Sequence, residues 1–166
     1  MNNQYVISLG SNVGDSLGIL KRAVKVLSED PRLQVEKKSS LYKTKPWGKT
    51  DQPPFVNAAI EVSWQGEPDE LMTFLLQVEK LFGRKRDIHW GPRTLDLDMI
   101  YGWHVESQSK LLRLPHPYFW ERPFVLVPME EMIPQFSYEG ISIGDRIAMI
   151  HGYEEVEKIQ SSWEDL

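Results

Sequence analysis

The sequence FVNAAIEVSWQGEPDELMTFLLQVEKLF, residues 55–82, changes from a strand pattern to a helix pattern within a few positions. Phe55–Trp64 predicts a strand, and the Gln-Gly pair that follows it predicts a turn. Pro68 suits the first position of a helix, and Gly83 suits the position after its end. The apolar residues between them recur at helical spacing, namely Leu71, Phe74, Leu75, Val78 and Phe82.

The same kinds of pattern extend on both sides of this unit. Upstream, Gln4–Gly10 predicts a strand, Ser16 can cap a helix that runs to about Ser28, and Val35–Lys43 predicts a second strand. Downstream, Thr94–Tyr101 alternates apolar and acidic residues, which indicates a further strand. The order strand–helix–strand–strand–helix–strand is the split βαβ arrangement. We therefore predict an α+β, ferredoxin-like fold with a mainly antiparallel sheet covered by helices.

The C-terminal third has weaker patterns. Five prolines between residues 115 and 134 predict only one-turn or two-turn helices there, and Ile143–Ile150 predicts a last short helix. Residues 154–166 are acidic and weakly patterned, which predicts a frayed tail. A length of 166 residues suits a single domain, residues 1–166.

The composition excludes several classes of protein. Nineteen basic residues against 24 acidic ones give a net charge of −5, which argues against a nucleic-acid partner. The absence of cysteine removes disulfides, thiolate nucleophiles and cysteine-based metal sites. No signal peptide or apolar run of membrane-spanning length is visible, so we expect a cytoplasmic monomer with no membrane partner.

Two acidic residues on the last predicted strand are the first candidate site. Residues two apart on a strand face the same way, so the carboxylates of Asp96 and Asp98 can converge on one metal ion or bridge two. Carboxylate ligands without soft donors favour Mg²⁺. The alternative is that this face of the strand is simply exposed to water.

A basic segment precedes these acids. Arg84, Lys85, Arg86 and Arg93 lie within ten residues of one another, and His89 adds a further possible charge. Guanidinium groups beside paired carboxylates suit a metal–polyphosphate complex, because the acids hold the metal and the arginines hold phosphate oxygens. A solvated basic loop remains the alternative.

Two aromatic clusters complete the candidates. PHPYFWERPF, residues 115–124, sets His116 and Arg122 among prolines and aromatic rings. In residues 44–57, Trp47 and Phe55 offer stacking faces, and the side-chain amide of Asn57 matches the polar edge of a heteroaromatic ring. The alternatives are a structural histidine, a core phenylalanine and a strand-bulge asparagine.

The known nucleotide-binding motifs are missing. LGSNVGD lacks the Gly-Lys-Ser/Thr of a P-loop, and no GxGxxG follows a strand. A ferredoxin-like module that binds RNA through aromatic residues is a second hypothesis, although the strands lack that aromatic pattern. A relative that binds nucleotide without turnover is a third.

Four blocks of sequence resemble the 6-hydroxymethyl-7,8-dihydropterin pyrophosphokinase family. They are ISLGSNVGD, DQPPFVNAAIEV, WGPRTLDLD with the preceding arginines, and LPHPYFWERPFVLVPM, in this order between positions 7 and 129. The resemblance implies that ATP donates a pyrophosphoryl group to the hydroxymethyl group of the dihydropterin and that AMP leaves. It also implies two Mg²⁺ ions bound with the ATP and a place in folate biosynthesis.

The resemblance also implies residue roles. The metal-binding pair matches Asp96 and Asp98, and the arginines that act on the transferring phosphates match Arg84 and Arg93. The positions for ATP binding match Arg86, Trp90, His116 and Arg122. The positions that bind the pterin match Thr44, Trp47, Phe55, Asn57 and Phe124. The positions that organise the loops match Asn12 and Glu79.

Two positions depart from the family pattern. Trp47 stands where a smaller aliphatic residue is common, which predicts a reshaped rim of the pterin pocket. Leu111 stands where a basic ATP contact can occur; the alternatives are that Lys110 or Arg113 replaces it or that the contact is missing. The segments 44–54 and 84–93 are expected to close over the substrates and exclude water, which competes as a nucleophile. No strong general base is evident beside the pterin site.

Overall fold

The computed structural model describes residues 2–44, 53–83, 94–161 and 163. Its strands are β1 Asn2–Ser11, β2 Leu33–Lys38, β3 Leu41–Thr44, β4 Phe55–Gln65, β5 Asp96–Gly102, β6 Ser107–Gln108, β7 Arg113–Leu114, β8 Ser137–Tyr138, β9 Ile141–Ser142 and β10 Val156–Gln160. Its α-helices are α1 Ser16–Ser28, α2 Pro68–Leu81, α3 Pro123–Met132 and α4 Ile143–Met149, with short 3₁₀ helices at Phe119–Glu121 and Tyr153–Glu155.

The main sheet has the strand order β10-β3-β4-β1-β5, and β2 pairs with β4 beside β3. Every pairing in this sheet is antiparallel. Helix α1 connects β1 to β2, which pairs with β4, and α2 connects β4 to β5, which pairs with β1, as in the split βαβ unit. The predicted α+β fold with a mainly antiparallel sheet is therefore confirmed.

Helices cover both faces of the sheet. One core forms where α1 and α2 pack on alternate residues of the strands, such as Ile7, Ile60 and Leu97. A second core lies on the opposite face of the sheet. There α3, α4 and the 3₁₀ helix at 119–121 pack on strand residues such as Val6 and Ala59. Among the described residues no helix is both long and apolar enough to cross a membrane.

Local details differ from the sequence patterns. The cap of α1 is Asp15 rather than Ser16, because the Asp15 carboxylate accepts a hydrogen bond from the Gly18 N–H at 3.1 Å. The single strand predicted over 35–43 is two strands, and Ser39 lies between them with its hydroxyl accepting from the Ala59 N–H at 2.9 Å. These are side-chain bonds to backbone groups, which hydrophobic periodicity does not register.

The C-terminal region is more ordered than predicted. Helix α3 spans 10 residues and includes Pro128, so it is longer than the one-turn or two-turn helices that the prolines indicated. Within the tail for which fraying was predicted, Val156–Gln160 pairs with β3 at the sheet edge. Beyond this strand, the indole N–H of buried Trp163 donates to the Ser39 carbonyl at 2.8 Å.

Candidate active site

Cross-strand pairing places part of the predicted site on the face of the sheet that α3 covers. Asp96 pairs with Gly10, Gly10 with Asn57, and Asn57 with Tyr42, so these four form one row across the sheet. Directly opposite residues of antiparallel strands share a face. Adjacent strands lie about 4.8 Å apart, so the backbones at Asp96 and Asn57 are separated by roughly 10 Å.

The two candidate metal ligands lie on the edge strand β5, Asp96 in this row and Asp98 in the next. Asp98 pairs with Ser8 in the next row, and both Asp96 and Asp98 are half-buried on the same face of β5. Leu97 between them is buried on the opposite face against α1 and α2. The predicted convergence of the two carboxylates on one side of the strand therefore agrees with the geometry.

Glu79 on α2 reaches the backbone between these two acids. Its side chain is 2% exposed, and its Oε2 accepts from the Leu97 N–H at 2.8 Å. Because Leu97 stands between Asp96 and Asp98, this hydrogen bond fixes the strand at the point from which both carboxylates project. A buried carboxylate bound to a backbone N–H is a rigid support, since leaving either group unsatisfied would be costly.

The ends of β3 and β4 carry two buried polar side chains that lack partners among the described residues. Thr44 pairs with Phe55, and Asn57 lies two residues along the same face. Thr44 Oγ1 and Asn57 Oδ1 are buried, and neither has a hydrogen-bond partner among the described residues. Buried polar atoms are usually paired, so two orphaned oxygen atoms on neighbouring strands indicate a place for an external ligand.

Gly10 leaves room for the Asn57 side chain. A Cβ atom at Gly10 would lie 3.0 Å from Asn57 Nδ2, closer than ordinary van der Waals contact. The Asn57 amide therefore occupies the space beside the Gly10 backbone. In the sheet, this place lies between the two acids on β5 and Phe55 on β4. Gly10 belongs to the ISLGSNVGD block, and its lack of a side chain leaves the space that the Asn57 amide fills.

Arg122 lies between two aromatic rings at the start of α3. Its guanidinium carbon is 5.6 Å from the ring centre of Tyr118 and 5.8 Å from that of Phe124. Both distances lie within the range of cation–π attraction. Arg122 is also the N-cap residue of α3, and Phe124 lies in the first turn of the same helix. Helix α3 therefore brings both residues to the sheet face that it covers.

Hydrogen bonds hold His116 next to β5 and Tyr118. Its backbone N–H donates to the Ile100 carbonyl of β5 at 2.8 Å, and its Nδ1 accepts from the Tyr118 N–H at 3.2 Å. Accepting at Nδ1 leaves the ring hydrogen of the neutral imidazole on Nε2, which is then a donor. Burial, with the nearby charges of Arg122 and Arg113, lowers the pKa of His116 to about 4.

We expect His116 to titrate well below neutrality. The folded-state pKa of about 4 lies under the ordinary 6.5, so the unfolded chain binds more protons between these values. His116 therefore lowers stability as the pH falls through this window, and His116→Gln removes that loss. Urea unfolding of both proteins at pH 7 and pH 5 measures it, and an NMR titration of His116 with a midpoint near 6.5 would contradict it.

Asn12 connects the segments at the ends of β1 and β4. It is 1% exposed, and its Nδ2 donates to the Pro53 carbonyl at 3.3 Å. The bond joins the turn after β1 to the residues just before Phe55. This contact is what a residue that organises loops near the site would be expected to make.

Five predicted site residues lie outside the described residues, namely Trp47, Arg84, Arg86, Trp90 and Arg93. The predicted closure of segments 44–54 and 84–93 concerns the same parts of the chain. These remain predictions from the sequence and the resemblance.

The sequence patterns missed Tyr118 as a neighbour of the site. Its ring is 59% exposed and stands beside both His116 and Arg122. Its place in the PHPYFWERPF cluster, between His116 and Arg122, was the signal in the sequence. The buried hydroxyl of Tyr42, in the row of Asn57, was missed because only strand pairing brings it there.

The donor set fits a hard divalent cation. Among the described residues no group of three or more His, Cys, Asp or Glu side chains could hold a metal by itself. Asp96 and Asp98 supply carboxylate oxygens from one face, which are ligands that Mg²⁺ prefers, and the ion commonly takes its other ligands from phosphates and water. The site therefore fits a metal that arrives with a polyphosphate.

The fold and the site together define a ferredoxin-like α+β protein with a carboxylate pair on the same sheet face as two buried oxygen atoms that lack partners among the described residues. Residues 6–134 match the family described as "7,8-dihydro-6-hydroxymethylpterin-pyrophosphokinase (HPPK)". A Bacillus subtilis 2-amino-4-hydroxy-6-hydroxymethyldihydropteridine pyrophosphokinase is 41% identical over 142 residues, covering 86% of this chain and 85% of the relative. The Methylorubrum extorquens protein of the same name is 37% identical over 91% of this chain and 97% of its own length. The chain therefore belongs to the HPPK family.

A solved structure agrees with the fold. A variant of Plasmodium falciparum HPPK-DHPS crystallised with pterin and p-hydroxybenzoate matches with a TM-score of 0.72 at 14% identity. The match covers 96% of this chain and 47% of that chain, so the chain spans about half the length of this larger protein. At this identity the likeness concerns the fold alone.

Proposed function

We infer that this chain transfers a pyrophosphoryl group from ATP to the hydroxymethyl group of 6-hydroxymethyl-7,8-dihydropterin, releasing AMP, as a step of folate biosynthesis. Family membership supports this over 129 consecutive positions, residues 6–134. The observation that carries it is the placement of two carboxylates and two orphaned polar atoms on one sheet face. This face offers one place for a metal-bound polyphosphate and another for a polar ring.

The covalent step is a displacement at the β-phosphorus of ATP. The hydroxymethyl oxygen forms a bond to this phosphorus, and the bond to the oxygen that bridges to the α-phosphate breaks. The electron pair of that bond stays with AMP, and the hydroxyl proton is released. Such transfers ask the protein chiefly for positioning and charge stabilisation.

We propose that Asp96 and Asp98 hold Mg²⁺ together with the ATP phosphates, with two ions present. When bound, Mg²⁺ neutralises phosphate charge and orients the reacting oxygens. Arg84 and Arg93 are proposed to act on the transferring phosphates. Glu79 keeps the strand that carries both acids in place through its bond to Leu97.

The proposed nucleotide contacts are Arg86, Trp90, His116 and Arg122. Arg122 supplies a fixed positive charge, and neutral His116 supplies an uncharged Nε2–H donor. At the position where Leu111 lacks a basic group, we propose Arg113 rather than Lys110 as the replacement. The charge of Arg113 acts on His116, which supports its lying on this side of the protein.

The pterin is proposed to stack between Phe55 and Phe124, with its polar edge facing Thr44 and Asn57. The two orphaned oxygen atoms would accept hydrogen bonds from the amino and ring N–H groups of such an edge. Trp47 is proposed to line the rim of this pocket. Asn12 is proposed to organise the neighbouring segments through its bond to Pro53.

Residues 1–166 are proposed to act as one domain and as a monomer, and a cytoplasmic location stays a prediction from the sequence. The test of the function is the identity of the nucleotide product. The chain, incubated with ATP, Mg²⁺ and the hydroxymethyldihydropterin, should release one AMP for each pterin diphosphate formed. Formation of ADP would indicate transfer of a single phosphoryl group and would overturn the assignment.

A further inference from the structure

A carboxylate on α3 joins the helix to β3 and β10, the last two strands at one side of the sheet, through residues not assigned above. Glu131 Oε1 accepts from the Ser40 N–H at 2.6 Å and from the Tyr42 hydroxyl at 3.0 Å. Its Oε2 accepts from the Ser40 hydroxyl at 2.5 Å and pairs with Lys158 Nζ of β10 at 3.0 Å. We call these four residues, Ser40, Tyr42, Glu131 and Lys158, the Glu131 cluster.

The cluster holds an ionised carboxylate. Burial alone would raise the pKa of Glu131, but the donors from Ser40, Lys158 and Tyr42 hold it below its usual value. The same contact raises the pKa of Tyr42, because burial and the neighbouring carboxylate both disfavour a phenolate. Tyr42 therefore stays a hydroxyl donor, and charge-assisted bonds of this kind are stronger and geometrically stricter than neutral ones.

On the helix side, the cluster is connected to the ring Phe124. Phe124 and Glu131 lie seven residues apart on α3, which is two turns and places them on the same stripe of the helix. Glu131 therefore anchors one end of the helix, while Phe124 projects from its first turn over the sheet. Phe124 and Glu131 are about 10 Å apart along the helix axis. If the helix tilts at Glu131, the Phe124 ring therefore moves with it.

On the sheet side, the cluster is connected to the orphaned polar atoms. Tyr42 is the direct cross-strand partner of Asn57, and Thr44 lies two residues further along the same face of β3. The hydrogen bond from Tyr42 to Glu131 thus fixes the strand that carries Thr44 against the helix that carries Phe124. One carboxylate therefore connects the helix that carries Phe124 with the strand that carries Thr44.

We infer that Glu131 is a positioning residue for the ring substrate, setting the gap between Phe124 and the Thr44–Asn57 edge. The inference rests on the proposed function, since it concerns the same pocket. It assigns a selective effect on pterin binding to the bonds that Glu131 accepts from Ser40 and Tyr42, and none to the ion pair with Lys158. The effect on ATP binding is expected to be smaller, because the bonds to Ser40 and Tyr42 fix β3, whereas the acids proposed for ATP and its metal lie on β5 at the opposite edge of the sheet. Arg122, the N-cap residue of α3, is a proposed ATP contact that a shift of the helix would also affect.

The test is steady-state kinetics of the full chain with both substrates varied. Glu131→Gln keeps the shape but loses the charge and turns an amide N–H₂ group toward donors. We expect the pterin KM to rise about 10-fold, because displacing one binding contact weakens binding by about this factor. The ATP KM should stay within about twofold of wild type. Tyr42→Phe removes one hydroxyl alone and should raise the pterin KM about threefold.

Lys158→Met is the matched control within the cluster. It removes the donor from β10 and leaves the bonds between α3 and β3 intact, so both KM values should stay within about twofold of wild type. Tyr42→Phe also keeps the inference testable if Glu131→Gln does not fold, because it retains the ring and the charge.

The outcomes separate the two claims. If wild-type protein forms AMP but Glu131→Gln and Tyr42→Phe lower only the melting temperature, with both KM values unchanged, the cluster is structural and the inference is wrong. A parallel rise of both KM values would also overturn it, because the effect would not be selective. A wild-type protein that forms no AMP overturns the proposed function and this inference together.

Discussion

Asp96→Asn and Asp98→Asn should each lower kcat by at least about 10³-fold while the protein stays folded. Asparagine keeps the size of the side chain but removes the charge that would hold a divalent cation against the phosphate chain. Both acids are half-buried neighbours on one strand face, and asparagine fills nearly the same volume at either position. The free energy of unfolding should therefore change by no more than about 1 kcal/mol.

The matched control for these variants is Asp69→Asn. Asp69 is an exposed acid in the first turn of α2, outside the face that carries the site, and its substitution makes the same change in net charge. Its kcat should remain within about twofold of wild type. Wild-type turnover in either the Asp96 or the Asp98 variant, with urea unfolding unchanged, would refute the metal-holding role of that residue.

Thr44→Val should stabilise the free protein and weaken pterin binding at the same time. Valine has nearly the shape of threonine but lacks the buried hydroxyl that has no partner among the described residues. An unsatisfied buried polar group costs about 1–3 kcal/mol, so the free energy of unfolding should rise by roughly 1 kcal/mol. Loss of the bond to substrate should raise the pterin KM by about 10-fold.

Asn57→Ala extends this prediction to the second orphaned atom. It removes an amide that can offer both a donor and an acceptor to a ring edge, so the pterin KM should rise by about 10²-fold. The control is Thr73→Val on the exposed side of α2, which should change neither KM. A Thr44→Val protein that is less stable than wild type and binds pterin normally would show that this hydroxyl has a structural partner instead.

Local patterns predicted the parts of the fold that depend on neighbouring residues. Strand alternation placed Asp96 and Asp98 on one face because successive side chains of a strand point in opposite directions. The helices α1 and α2 followed from apolar spacing and from the proline and glycine at the ends of α2. These signals need no knowledge of the rest of the chain.

Contacts between distant segments could not be predicted in the same way. The strand β10 has no apolar alternation of its own, and it forms because β3 offers an unpaired edge more than 100 residues earlier. The Glu131 cluster joins residues about 90 positions apart, so no spacing in the sequence reveals it. The grouping of Thr44, Asn57 and Asp96 likewise depends on strand register, which the sequence resemblance implied and periodicity alone did not.

The most direct measurement is a crystal structure of the full chain with Mg²⁺, a non-hydrolysable ATP analogue and the pterin. Carboxylate oxygens of both Asp96 and Asp98 should lie about 2.0–2.1 Å from magnesium that also contacts the phosphates. The account would be contradicted if both side chains pointed away from the phosphate chain and touched no metal.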